Sequence, residues 1–293
     1  MKRVLPGLVL LALMVLASSV SAQKLQVVTT FSILQDFAEQ VGGDSVEVSS
    51  LIPAGADPHT WEPTPKEARL VAKADLIIAN GGGFDDWLFS LVENAARADA
   101  LVITVSEGLE AIEHGHGHDH HGDAHFWLSV PHAIYYVEKI SQALTALSPD
   151  NAAYFQGRAA AYRDELVELD RWMLGELSKI SAENRVIVTY HNAFSYLAER
   201  YGFEVAEFLV ANPDAEPTPR DLARLTDLLR RTSHRAIFTE PQIGSGTRYL
   251  QSLAKEVKGE IYVLYSDSLS PEISTYLEMM RYNTQTLVEA LEQ

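Results

Sequence analysis

The feature that most constrains the fold is one unbroken helical pattern in the middle of the chain, over residues 148–180. Ser148, Pro149 and Asp150 suit a first helical turn, where a polar cap, a proline and an acid are favoured. At about 1.5 Å per residue the helix would be roughly 50 Å long, longer than most globular domains are wide. The pattern predicts a rigid connection between two lobes, or else a bundle or coiled-coil helix. Its apolar residues recur at steps of three and four, the spacing of one helix face: Phe155, Ala159, Tyr162, Leu166, Leu169, Met173, Leu177 and Ile180.

The sequences on either side of this helix favour the connection between lobes, because they share one order of elements. Residues 62–65 and 216–219 both read Glu-Pro-Thr-Pro, and each is followed by a helical segment and then an apolar strand. In each copy the Thr suits the N-cap and the second Pro suits the first helical position. An acid three residues after the Thr, Glu67 or Asp221, would complete a capping box. The repeat predicts two similar α/β lobes.

We therefore predict an α/β fold of two similar lobes joined by a single long helix. The N-terminal lobe is assigned to residues 23–147, the linking helix to 148–183 and the C-terminal lobe to 184–293. Short apolar runs that alternate with helical patterns predict four strands in each lobe. They are 25–30, 46–51, 75–80 and 101–105 in the first lobe, and 185–190, 204–210, 236–239 and 260–265 in the second.

Residues 1–22 have the three parts of a secretory signal peptide. A basic start is followed by a Leu- and Val-rich run to Leu16 and by Val20-Ser21-Ala22, so cleavage is expected before Gln23. The apolar run is too short to span a membrane. The predicted location is the periplasm. Because the chain contains no Cys, we expect neither a disulfide nor a lipid anchor.

The charge of the chain excludes some classes of partner. The formal net charge is −17 for the full sequence. Without Lys2 and Arg3, 21 basic residues face 40 acidic ones, a net charge of −19. Such a surface disfavours nucleic acid and anionic lipid and is compatible with the attraction of cations. We expect a monomer that is not anchored to a membrane.

A His-rich segment over residues 114–123 is predicted to be a loop, because it offers no apolar side chain to bury. Its imidazoles and its two carboxylates, Asp119 and Asp123, suit borderline divalent metals such as Zn²⁺, Ni²⁺ or Cu²⁺. The segment is either a set of weak, exchangeable metal sites or a solvated linker that is rich in His. The imidazoles belong to His114, His116, His118, His120 and His121.

Four potential ligands lie at strand ends or at comparable loop boundaries: His59, His125, His191 and Asp267. Ligands of open α/β sheets collect beyond the carboxyl ends of strands. Three imidazoles and one carboxylate are a plausible tetrahedral Zn²⁺ set. Two ligands come from each lobe, which predicts a metal site in the cleft between the lobes. Taken singly, each His is more often a hydrogen-bonded polar residue than a ligand.

Other polar residues near these positions have weaker claims. Glu240 also follows a strand and competes with Asp267 as the carboxylate ligand. Glu62, Asn192 and Glu240 could orient the ligands from behind. His132 and His234 are expected to be polar surface residues.

Four motifs in the mature chain are GADPHTWEPTP (55–65), DAHFWL (123–128), HNAFSYL (191–197) and YSDSL (265–269) with TYLEMMRYN (275–283) downstream. They resemble those of the periplasmic metal-binding proteins of zinc and manganese ABC transporters, in which the second motif usually has Pro at the position of Ala124. The resemblance implies that His59, His125, His191 and Asp267 ligate the metal. At the third motif zinc-type members tend to have His and manganese members Glu, so His191 implies a zinc-type member. It also implies two α/β lobes joined by one long helix, and a His-rich loop as in many zinc-type members.

The resemblance and the ligand set lead to a first hypothesis and several alternatives. The first is a periplasmic zinc-binding protein, not an enzyme, that delivers Zn²⁺ to a membrane permease, with a periplasmic zinc donor protein as a further possible partner. A third imidazole in place of an oxygen favours Zn²⁺ over Mn²⁺. The alternatives are a manganese-binding member of the same family, a periplasmic zinc buffer that relies on the loop, and a zinc hydrolase with Asp267 or Glu240 as base.

Overall fold

The computed structural model describes residues 24–113, 122–210, 216–232, 234–243 and 247–292. The predicted signal peptide and the loop histidines His114, His116, His118, His120 and His121 lie outside these ranges. No helix within them is long and apolar enough to cross a membrane.

The first lobe is a four-stranded parallel sheet in the order β2-β1-β3-β4. Each strand continues into a loop at the same edge of the sheet, so that this edge gathers the polar segments of the lobe. The elements are β1 (Leu25–Thr29), α1 (Ser32–Gly42), β2 (Val46–Ser50), α2 (Pro65–Val71), β3 (Leu76–Ala79), α3 (Trp87–Ala95), β4 (Leu101–Thr104) and α4 (Val130–Leu147).

The second lobe repeats this architecture with a parallel sheet in the order β6-β5-β7-β8. All eight predicted strands are present, most of them one or two residues shorter than predicted, and the predicted fold class is confirmed. The elements are β5 (Val186–His191), α6 (Ser195–Tyr201), β6 (Glu204–Val210), α7 (Pro219–Leu229), β7 (Ala236–Thr239), α8 (Thr247–Val257), β8 (Glu260–Val263) and α9 (Tyr276–Leu291).

The linking helix α5 spans Ala152–Leu177, 26 residues, or about 39 Å. It is shorter than predicted because Pro149–Asn151 form a separate 3-10 turn. Ser148 therefore does not cap α5, and its hydroxyl accepts a hydrogen bond from Asn151 instead. All eight side chains of the predicted apolar stripe are buried, including Ile180 beyond the helix end.

The predicted helix caps are correct in both lobes. Thr64 caps α2 with Glu67, and Thr218 caps α7 with Asp221, each as a complete capping box. A third capping box, which the sequence analysis did not identify, joins Thr275 to Glu278 at the start of α9.

One continuous apolar core extends through both lobes. It contains residues of α1 and α4 from the first lobe, the whole stripe of α5, and residues of α6 and α9 from the second. Two smaller clusters fill the outer faces of the sheets, one against α2 and α3 and the other against α7 and α8. The lobes are thus fused through the shared face of α5, and relative motion would expose apolar surface.

Two histidines are less exposed than predicted. The ring of His132 lies against Phe126 and Tyr196, at centroid distances of 5.7 and 5.3 Å. His234 is only 9% exposed, and its Nδ1 accepts a hydrogen bond from the amide of Ala236. The prediction of a surface residue was wrong for His234, whereas His132 is half-buried, with Tyr196 of the distant helix α6 against its ring.

Candidate metal site

His59 lies in the loop that follows β2. Its amide donates a hydrogen bond to Asp57 Oδ1 at 3.0 Å, which closes a short turn around Pro58. The ring packs edge-on against Phe84 at a centroid distance of 5.5 Å. With 16% of its side chain exposed, His59 is the most accessible of the four candidate ligands.

His125 is held by the residue two positions before it. Asp123 Oδ1 accepts a hydrogen bond from the amide of His125 at 2.9 Å and lies 2.8 Å from its Nδ1. This contact directs Nε2 toward the cleft and favours the tautomer with the proton on Nδ1. The ring is buried beside Trp127, at a centroid distance of 5.2 Å.

His191 is the last residue of β5, one of the two inner strands of its sheet. Glu240 follows the neighbouring strand β7, and its Oε1 lies 2.7 Å from His191 Nδ1. Both side chains are buried. As with His125, a carboxylate at Nδ1 leaves Nε2 facing the cleft.

Asp267 lies in the loop between β8 and α9, and first-lobe residues hold this loop on both sides of it. Trp127 Nε1 donates to the carbonyl of Ser266 at 2.7 Å. The amide of Leu269 donates to Ser32 Oγ at 2.9 Å. The carboxylate between these two anchors is fully buried.

These four side chains converge on one point. Asp267 Oδ2 lies 3.3 Å from His59 Nε2 and 3.4 Å from His191 Nε2, and Asp267 Oδ1 lies 3.4 Å from His125 Nε2. One potential ligand atom from each residue lies within 4.8 Å of all the others. A tetrahedral ion with bonds of 2.0–2.1 Å separates its ligand atoms by roughly 3.4 Å. The spacing therefore suits a single small cation.

The buried atoms and charges of the site also suit a cation. Burial raises the pKa of Asp267, but the charges of His125 and His191 outweigh it and hold that pKa well below its usual range. Among the residues that the structure describes, His125 Nε2, His191 Nε2 and Asp267 Oδ1 are buried without a hydrogen-bond partner. Such unpaired polar atoms are costly in a folded protein and are expected where an ion binds.

The three residues that were candidates for orienting the ligands have different outcomes. Glu240 contacts His191 as described above. Asn192 accepts a hydrogen bond from Ser195 at 3.4 Å, and Glu62 is exposed, so neither is placed by a described contact with a ligand ring. Asp123 was not assigned this role from the sequence, although an Asp two residues before a His is a local signal for such a turn.

Comparison with known proteins agrees with this fold and site. A family model described as zinc-uptake complex component A, periplasmic, matches residues 27–290. The chain belongs to this family of periplasmic solute-binding proteins. It is a metal-binding protein and the substrate-binding component of an ABC transporter, which implies a membrane permease as partner; the family comprises transport proteins and not enzymes.

Two relatives of known name are both named for manganese. The chain is 32% identical to the manganese-binding lipoprotein MntA of Halalkalibacterium halodurans, over 94% of this chain and 91% of that protein. Identity to the manganese ABC transporter substrate-binding lipoprotein PsaA of Streptococcus pneumoniae is also 32%, with 94% and 91% covered.

Two solved structures share the fold along nearly their whole length. The Mn-bound periplasmic metal-binding protein of Candidatus Liberibacter asiaticus superposes with a TM-score of 0.80 at 29% identity, covering 91% of this chain and 99% of that one. The periplasmic zinc-binding protein TroA of Treponema pallidum gives a TM-score of 0.84 at 28% identity, covering 92% and 100%.

Proposed function

We propose that this protein captures a divalent transition-metal ion in the periplasm through His59, His125, His191 and Asp267, and delivers it to its permease. The observation that supports this is the convergence of three imidazole nitrogens and a buried carboxylate within 4.8 Å. Four protein ligands fill a tetrahedral shell, which suits carriage of an ion better than catalysis at an open position.

We propose Mn²⁺ as the transported ion, because the named functions of two relatives and the contents of one structural neighbour support it. This differs from the zinc preference that the ligand set alone indicates. Zn²⁺ is the second candidate, and a specific observation favours it: three of the four candidate ligands are imidazoles, which bind Zn²⁺ more strongly than Mn²⁺. Affinity and cargo need not coincide, since the ion that is carried also depends on which metal is available.

Titration of the metal-free protein with Mn²⁺ and Zn²⁺, alone and in competition, tests the site. We expect one tight site for each metal, weakened at least about 100-fold but still measurable in His125→Ala, because one of four ligands is lost. His234→Ala is the matched control, since it removes a buried His outside the site. Equal affinity of His125→Ala and the wild-type protein would contradict the proposed site.

Metal uptake distinguishes the two cargoes. Cells that depend on this protein should lose accumulation of ⁵⁴Mn when Asp267→Asn replaces the wild-type chain, while ⁶⁵Zn accumulation is preserved by other routes. Loss of zinc accumulation alone would show that Zn²⁺ is the cargo. Retention of both would contradict a role in uptake.

A further inference from the structure

Tyr196 is a buried residue of α6 that contacts the segment carrying His125. Its side chain is 1% exposed. The ring stacks on Phe126, the residue directly after His125, with 4.6 Å between centroids and 27° between planes. A side chain of the second lobe thus packs against the first-lobe segment that supplies a candidate ligand.

The hydroxyl of Tyr196 makes two hydrogen bonds to the first lobe. It donates to the carbonyl of Asp123 at 2.7 Å and accepts from the amide of Ile112 at 3.1 Å. The amide of Asp123 in turn donates to the carbonyl of Ile112 at 2.9 Å. The hydroxyl therefore holds the main chain of Asp123 against the main chain of Ile112.

Asp123 transmits this position to the ligand. Its Oδ1 accepts from the His125 amide and lies 2.8 Å from the ring Nδ1. The Nε2 on the far side of the same ring lies 3.4 Å from Asp267 Oδ1. Only Ala124 separates Asp123 from His125 in the chain. A shift of the Asp123 main chain would therefore rotate the imidazole of His125 out of this arrangement.

We propose that Tyr196 is a positioning residue for metal binding: its hydroxyl, from the second lobe, holds Asp123 and thereby orients His125 toward the ion. This rests on the proposed function, because it assumes that His125 is a ligand. Tyr196 itself does not touch the metal. Partners that hold a metal-bound imidazole change metal affinity by about 10- to 100-fold, and a group one step further away should have an effect near the lower end of that range.

A double-mutant cycle tests the proposal with Mn²⁺ as the probe. Dissociation constants are measured by chelator competition for the wild-type protein, Tyr196→Phe, His125→Ala and the double variant. We expect Tyr196→Phe to weaken binding about 5- to 10-fold. In the His125→Ala background the same change should have no further effect, because the ring to be positioned is absent.

Tyr201→Phe is the matched control. Tyr201 is a buried Tyr at the other end of α6, and its hydroxyl donates to Asp170 Oδ1 of α5, away from the site. We expect its Mn²⁺ affinity to equal that of the wild-type protein, although loss of its hydrogen bond lowers thermal stability comparably. Asp123→Ala removes the Oδ1 that holds the His125 amide and ring, and it tests the next link of the same connection if Tyr196→Phe does not fold.

The outcomes are separable. Unchanged affinity in Tyr196→Phe, or an equal loss with and without His125, overturns the positioning role and leaves the proposed function intact. Unchanged affinity in His125→Ala overturns the proposed site, and the role of Tyr196 with it.

Discussion

The imidazole Nδ1 of His191 lies 2.7 Å from Oε1 of Glu240, and both side chains are fully buried at the carboxyl edge of the second sheet. The contact follows from topology, since the strands that end at these residues, β5 and β7, are neighbours. In the first lobe Asp123 stands in the same relation to His125. Each lobe thus presents one imidazole whose orientation is set by a carboxylate.

We expect Glu240→Gln to weaken metal binding about 10-fold or more, because it removes the charge that supports His191 as a ligand. Chelator competition with Mn²⁺ and Zn²⁺ measures the change. Glu39→Gln, on the exposed face of α1, is the control for a loss of negative charge. Wild-type affinity in a correctly folded Glu240→Gln would show that the contact is only structural.

Metal affinity should fall as the solution becomes more acidic. Burial lowers the pKa of His191, but the charges of Glu240 and Asp267 outweigh it and raise that pKa well above its usual range. Protons therefore compete with the metal for this imidazole, and an incoming ion must displace them. Affinity should drop about tenfold per pH unit for each proton displaced. Titrations at pH 8, 7 and 6 measure the slope, and a flat profile would exclude imidazole ligation.

Acid should destabilise the metal-free fold partly through His234. Burial holds the pKa of His234 below its ordinary value. The unfolded chain takes up a proton near pH 6.5, whereas the folded ring resists it. The neutral ring therefore makes its full contribution to the free energy of unfolding above about pH 6.5. This contribution is lost as the pH falls below that value. Urea unfolding in excess chelator, at several pH values, compares the wild-type protein with His234→Asn. The free energy of unfolding should depend less steeply on pH in the variant. Parallel plots of unfolding free energy against pH would be evidence against a role of His234.

The shared core on α5 should make the two lobes unfold together. Leu166→Ala removes a fully buried side chain of the stripe and should cost about 2–5 kcal/mol of unfolding free energy. Val167→Ala, one position along and 39% exposed, should change it by about 0.5 kcal/mol or less. Denaturant unfolding followed by circular dichroism tests both. Two separate transitions in the wild-type protein would argue against one cooperative core.

Metal binding should change the overall shape little. The continuous helix α5, the common core, and the anchors of the Asp267 loop on Trp127 and Ser32 all oppose wide opening. We expect the radius of gyration from small-angle scattering to be the same, within error, with and without metal. A large contraction on adding Mn²⁺ would mean that these contacts break in the metal-free protein.

Local sequence signals predicted much of the fold. The apolar stripe of α5 and the two Glu-Pro-Thr-Pro repeats depend on helical periodicity and capping, which act within a few residues, and the structure places both as expected. The start of α5 was predicted too early, because Pro149 also suits a 3-10 turn and the choice between the two depends on how α4 enters the core. The burial of His234 was missed because nothing in the sequence around it indicates burial, and the contact of His132 with Tyr196 joins segments that are distant in sequence.

The four candidate ligands could be selected from the sequence because strand ends in an α/β sheet share one edge, and their motifs resemble a known family. Which residues orient them could be predicted only in part, because Glu240 was one of three candidates whereas Asp123 and Tyr196 were not among them. The contact of Glu240 with His191 needs the order of strands, and the bond of Tyr196 to Asp123 needs the docking of one lobe on the other. By itself the sequence determined the elements, their order and the donor chemistry, since these depend on short-range patterns. Only the tertiary structure decided the ligand spacing and its supports, because both are set by packing between segments as much as 200 residues apart.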